Sequence, residues 1–256
     1  MSQKNRSLDL YSPRYRDIIN PIASLGFVGL ATDRASHLDF MHFLRPFEGV
    51  AVHNTRIPFA PVATPETLQA LEHRIADGVE LLVPGQPLAT ISFSCTAASV
   101  AIGVERVHAA IRSVRSDSIP VTPIDAATEA FRLLGIRHLS VLMPYRVETC
   151  ALVLDHFEAQ DFVIDRGGSF NLDGDPEMNR MDPERIFEAA LEACAKTSDA
   201  LFISCTGWMT HPVVDRLEKA LGKPVLTSNQ VLAWRALRAA GVSRQISGQG
   251  QLFQNT

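Results

Sequence analysis

The sequence predicts an α/β protein of doubly wound type, built as two halves of one fold. Three observations predict it. Short, β-rich apolar runs alternate with helical patterns along the whole chain. Most of these runs are almost continuously apolar, as strands of a parallel sheet covered on both faces must be. The sequence also resembles itself. Residues 91–99 (ISFSCTAAS) and 201–209 (LFISCTGWM) are both apolar strands ending in Ser-Cys-Thr, each with a Pro-Val pair opening a further strand downstream. Cys95 and Cys205 stand 110 residues apart, and Pro120 and Pro224 stand 104 apart.

The first series of strands is predicted at 25–30, 49–54, 88–93 and 119–124, and the second at 138–143, 161–165, 200–204 and 223–228. A long helix is expected from Pro65 to Val83, with Thr64 as N-cap, Pro65 at the first helical position and Glu66 in the first turn. Asp182 and Pro183 open a second helix in the same way, and Gly135 closes a third. A helix is expected after each Ser-Cys-Thr. Strand–helix alternation of this kind gives right-handed βαβ units. The first fifteen residues read as an arm, or as a piece that packs on a partner subunit, and the tail from Ser243 reads as flexible.

Composition narrows the function. The 256 residues are 46% hydrophobic and 20% charged, which is the balance of a globular chain with a full-sized core. A net charge of −4 disfavours nucleic acid or an anionic membrane surface as the main partner. No run is long enough to span a bilayer and the N-terminus lacks a signal-type apolar stretch, so a cytoplasmic location is expected. The four cysteines do not form a disulfide framework or paired C-x-x-C zinc motifs, and the eight histidines have no metal-ligand spacing. A Walker A loop, a G-x-G-x-x-G fingerprint and a G-x-S-x-G elbow are all absent from the sequence, which weakens nucleotide-hydrolase, dehydrogenase and hydrolase readings.

Cys95 and Cys205 are the candidates for chemistry. Ligands of parallel α/β sheets bind beyond the carboxyl ends of the strands, where both cysteines are predicted. A thiol at the N-terminus of a helix is expected to have its pKa lowered and to act as base or nucleophile. Ser94, Thr96, Ser204 and Thr206 offer hydroxyls, and their amides offer a nest for an enolate oxygen. One such cysteine alone is more often an inert core residue, and the duplicated context reverses that weighting. Cys150 and Cys194 lack such a context and read as packing. Asp33 reads either as a site residue or as an N-cap, Arg56 as a solvated loop residue or a carboxylate clamp, and Asn229 as a cleft residue or a helix cap. His211 reads as a surface histidine before Pro212 or as a helper beside the second cysteine loop.

These residues resemble the aspartate/glutamate/hydantoin racemase superfamily. Within it the sequence is similar to the maleate cis–trans isomerase and arylmalonate decarboxylase branch, including racemase-like proteins of ectoine-utilisation clusters. The likeness runs from about Gly26 to Gly241 and includes MPYRVETC and MNRMDPERI. It implies two α/β/α domains related by a pseudo-twofold axis, 19–122 plus 226–256 and 123–225, with the active site between them and no metal or organic cofactor. It implies Cys95 and Cys205 as the catalytic pair and Tyr145 as a substrate-contacting hydroxyl. Where the branch has a substrate-binding Asn after the first strand, this sequence has Asp33. The second Asn position falls on Asn171 or Asp175. An Asp facing the substrate points to an amino or amide group in place of a second carboxylate. The expected enzyme is a cofactor-independent isomerase or racemase of a small carboxylate or amino-acid-like substrate, a homo-oligomer with no nucleic-acid or membrane partner. A maleate-type isomerase adding Cys to a double bond, and a non-catalytic small-ligand-binding protein, are the alternatives. Decarboxylation normally needs only one Cys, in the second half, so Cys95 argues against it.

Overall fold

The computed structural model describes residues 8–15 and 22–255. The first half comprises β1 (Ala23–Leu30), α1 (Ser36–Leu44), β2 (Val50–Ile57), α2 (Pro65–Gln69), α3 (Glu72–Glu80), β3 (Thr90–Phe93), α4 (Thr96–Ile102), α5 (Val104–Arg112), β4 (Ile119–Val121) and α6 (Pro123–Leu133). The second comprises β5 (His138–Tyr145), α7 (Val147–Glu158), β6 (Val163–Leu172), α8 (Asp175–Met178), α9 (Pro183–Ala193), β7 (Ala200–Ile203), α10 (Val214–Leu221), β8 (Val225–Thr227) and α11 (Ser228–Ala239). Two four-stranded parallel sheets result, β2-β1-β3-β4 and β6-β5-β7-β8, the same strand order in each. The two-half α/β fold read from the sequence is therefore the observed one.

Each strand forms where the apolar run places it. β1, β3, β5 and β7 are buried almost throughout, because helices cover both faces. The helix following the fourth strand of each half crosses to the other half. Phe131 of α6 packs on Phe157, Phe162 and Phe202 of the second half, while α11 packs against α1 and β3 of the first. Both crossings start with a capping box, Thr122 with Asp125 and Thr227 with Gln230.

The structure corrects several local expectations. The helix expected over 65–83 is two helices, broken at Ala70 and Leu71. The tail is docked: Phe253 is buried, stacks on Phe43 with ring centroids 6.1 Å apart and touches Phe47. Gly250 and Gln251 donate main-chain bonds to Asp215 and Glu218. Leu252 and Phe253 are buried and Ile246 packs on the core, so apolar side chains seat an otherwise polar segment. Of the expected N-terminal arm, residues 1–7 lie outside the described residues, and residues 8–15 are exposed without regular structure.

Candidate active site

Cys95 and Cys205 follow β3 and β7 directly, at equivalent carboxyl ends of the two sheets. Cys95 is the N-cap of α4, its sulphur accepting the Ala98 amide at 3.4 Å. Cys205 is different, because no helix follows it at once. Residues 206–213 form a loop, and α10 begins only at Val214. Pro212 disfavours helical backbone at His211. The Thr210 and His211 amides instead donate to the Asp39 carboxylate of α1, at 3.1 and 3.0 Å.

Five of the residues singled out from the sequence converge here. Tyr145, at the end of β5, lies within electrostatic reach of both Cys205 and Cys95. Asp33 and Asp175 act electrostatically on both thiols. All five side chains are buried, with Cys95 and Asp175 keeping 8% of their surface and Cys205 and Tyr145 keeping 4%. The site is closed. A broad surface cleft of about 570 Å³ lies elsewhere, between α5, α6 and α7, and none of these five residues lines it.

Burial reverses the expected thiol chemistry. Desolvation pushes the Cys95 thiol up to about 12, against the Ala98 amide and with the negative fields of Asp175 and Asp33. Cys205 is raised well above its ordinary value for the same reasons, opposed by Tyr145 and the Gly207 amide. A helix of seven residues does not offset that desolvation at Cys95. Asp175 is itself raised, to about 6, chiefly by burial, with Thr32 opposing and Asp33 adding. Asp33 is raised by burial against the Ser36 and Ala35 hydrogen bonds and Arg56.

The remaining candidates separate. Asp33 is not the N-cap of α1, which is Ala35; it takes the Ala35 and Ser36 amides on Oδ1 at 2.8 and 2.9 Å and ties down the turn ahead of that helix. Thr96 donates to Ser228 at 2.8 Å and Thr206 donates to the Ser94 carbonyl at 3.3 Å, so both hydroxyls are engaged within the protein. The Ser94 and Ser204 hydroxyls are buried and have no hydrogen-bond partner among the described residues. Arg56 does not reach a substrate position; it binds the carbonyls of Leu30 and Asp33. Asn171 is not brought to the site: it ends β6 exposed, in left-handed backbone (φ 54°), with its amide on Ser169. Asp175 is brought there, accepting from Thr32. Cys150 is buried and donates to the Tyr145 carbonyl at 3.3 Å, whereas Cys194 caps the end of α9 half-buried.

Sequence reasoning missed Asn179. Its amide donates to Thr32 O at 3.2 Å and Asp175 O at 2.7 Å, and its Oδ1 accepts the Arg34 amide at 3.1 Å. The signal was present, since Asn179 stands four residues after Asp175 on the same face of a helical turn. Gly174 allows this turn to approach the first half. A side chain there would begin 2.0 Å from the Pro61 carbonyl oxygen, and Ala63 donates to Asp173 O beside it at 2.8 Å. Among the described residues, no group of three His, Cys, Asp or Glu is placed to hold a metal ion, and no helix is long and apolar enough to cross a membrane.

Known proteins share this architecture. The arylmalonate decarboxylase of Bordetella bronchiseptica is 27% identical over 199 residues, which cover 75% of this chain and 82% of that protein. The maleate isomerase of Alcaligenes faecalis is 21% identical over 216 residues, 81% of this chain and 85% of that one. A mutant of the Nocardia farcinica maleate cis–trans isomerase, solved with a covalently bound succinylcysteine intermediate, superposes with a TM-score of 0.85 at 21% identity. That match covers 91% of this chain and 98% of the isomerase. The family model for arylmalonate decarboxylase matches residues 64–253, and the chain belongs to that family, within the branch of the racemase superfamily that its sequence resembles.

Proposed function

We propose that this chain is a cofactor-independent isomerase or racemase of a small carboxylate, with Cys95 and Cys205 as its acid–base pair. The observation that carries the reading is the meeting of two equivalent buried thiols, one from each half, around Tyr145. One thiolate takes the α-proton, leaving an enediolate. The opposite thiol returns a proton to the other face and becomes the thiolate. Amides after the two strands and the Tyr145 hydroxyl stabilise the developing oxyanion.

The acidic surroundings bear on the substrate. Asp33 and Asp175 repel a second carboxylate and favour an amino or amide group, which supports an amino-acid-like substrate. A cationic group beside Asp175 also lowers both thiol pKa values on binding, so that the thiolate forms when the substrate arrives. In this reading the enzyme works in the cytoplasm as a homo-oligomer, and the halves 19–122 plus 226–256 and 123–225 close on the substrate.

A second reading is cis–trans isomerisation by addition of one thiolate to a double bond, rotation and elimination. The succinylcysteine of the Nocardia farcinica isomerase favours it. Turnover in D2O tests the two: proton abstraction puts deuterium at the α-carbon of recovered substrate and product, whereas addition and rotation leave that hydrogen in place. Absence of turnover with amino and dicarboxylic acids, together with slow alkylation of both thiols, would instead mark a ligand-binding protein.

A further inference from the structure

The loop after Cys205 is held by a buried network of hydrogen bonds centred on Asp39 and Asn229. Asp39 of α1 is fully buried, and five donors reach its carboxylate. Oδ1 accepts the Thr210 and His211 amides and His211 Nδ1, the last at 2.7 Å. Oδ2 accepts the Thr210 hydroxyl at 2.7 Å and Asn229 Nδ2 at 2.9 Å. The same Asn229 amide nitrogen donates to the carbonyls of Thr206 and Trp208, at 2.9 and 3.2 Å.

The geometry of the peptide bond gives this arrangement its chemical consequence. The Thr206 carbonyl and the Gly207 N–H belong to one planar trans peptide unit, so they point in opposite directions. Pulling the carbonyl towards Asn229 turns the N–H the other way, and Gly207 stands beside the Cys205 sulphur, a Cβ on it falling 3.5 Å away, where an amide N–H lowers the thiol's pKa. Asn229 is committed to this orientation, because the reverse would set its carbonyl against three oxygens. Its own Oδ1 is left buried without a partner among the described residues. An unpaired buried carbonyl costs stability, and packing alone gives no reason to keep it.

We propose that Asp39 and Asn229 are positioning residues that aim the Gly207 amide at Cys205 and so set the reactivity of that thiol. The proposal rests on Cys205 acting as a thiolate. Its test does not use turnover, so the two readings succeed or fail separately. The full-length protein is treated with iodoacetamide at pH 8–9, and modification of Cys205 and Cys95 is followed by peptide mass spectrometry.

In Asn229→Ala the ratio of Cys205 to Cys95 modification should fall about tenfold, because the thiolate loses its amide. Asp39→Asn, which keeps the shape and removes the charge, should lower the ratio in the same direction. An unchanged or increased ratio overturns the proposal, since a merely structural bond exposes a buried thiol when broken. Should both variants fail to fold, amide exchange in the unaltered protein decides. A Gly207 proton that exchanges slowly supports the relay, and one that exchanges as fast as exposed loop amides overturns it.

Discussion

A Cβ placed on Gly207 would stand 3.5 Å from the sulphur of Cys205 and 3.7 Å from the Oδ1 atoms of both Asp175 and Asn179. These are ordinary contact distances, so Gly207→Ala should fold. Its methyl group would fill the space between thiol, carboxylate and amide where a substrate is expected. We predict a Tm within about 2 °C of the unaltered protein, within the range of a benign substitution. The same variant should lose roughly 10²-fold in kcat/KM, on the scale expected for misplacing a substrate by about an ångström.

Replacing either thiol tests the two-cysteine reading. Cys95→Ser and Cys205→Ser should each keep their melting temperature and lose turnover by roughly 10²–10⁴-fold, the range of general acid–base contributions. A serine hydroxyl is too weak an acid to replace the thiol. The double variant should be scarcely worse than either single one, since the two act as a unit. Near-normal turnover in Cys95→Ser would leave a one-cysteine reaction at Cys205.

The raised thiols also fix the direction of the pH response. With both thiols held above their ordinary values by burial, the thiolate fraction grows about tenfold for each unit of pH below the thiol pKa. Alkylation of the substrate-free protein should rise steadily from pH 7 to 9 with no plateau. A plateau near neutrality would show a thiolate already formed.

Asp175 links pH to stability. Its carboxyl is raised from 3.8 to about 6, mainly by burial, so the folded state holds the proton more tightly than the unfolded chain does. The associated stabilisation is complete below pH 3.8 and is lost as pH rises through about 6. Asp175→Asn removes a penalty of about 2–3 kcal/mol at pH 7. Its Tm should exceed that of the unaltered protein by roughly 5 °C at pH 7 and match it near pH 4. Both thiols should alkylate faster in this variant, because a negative field is gone.

The tail offers a control remote from the chemistry. Phe253→Ala removes a buried ring from between Phe43 and Phe47 and should cost about 3–4 kcal/mol in urea unfolding. Thiol reactivity should be unchanged wherever the variant remains folded.

The order of the strands was legible because each buried strand is a nearly unbroken apolar run, and Ser-Cys-Thr marked the two equivalent strand ends. What escaped reading depended on contacts far apart in sequence. Asn171 and Asn179 are both plausible asparagines near one turn, and only the approach of Thr32 and Arg34 from the other half selects Asn179. The loop after Cys205 replaces a helix where Asp39, 171 residues before Thr210, takes the Thr210 and His211 amides that a helix would have bonded to its own carbonyls. The thiols' raised pKa follows from closure of the site, and local sequence carries helix termini without carrying burial. Asp33 was read as cap or as site residue; the helix begins two residues later than a cap at Asp33 requires, and its carboxylate holds the turn before it.

The crossing of α6 and α11 has a consequence for how such a chain is assembled. A polypeptide of half this length, ending in the helix after its fourth strand, would leave its own sheet uncovered where the partner's helix now lies. It would be complete only as a pair of copies, each lending its last helix to the other. In the present chain the same exchange runs within one molecule. Either half, excised alone, should lose stability, because the segments that complete each core also hold the two thiol-bearing strand ends together.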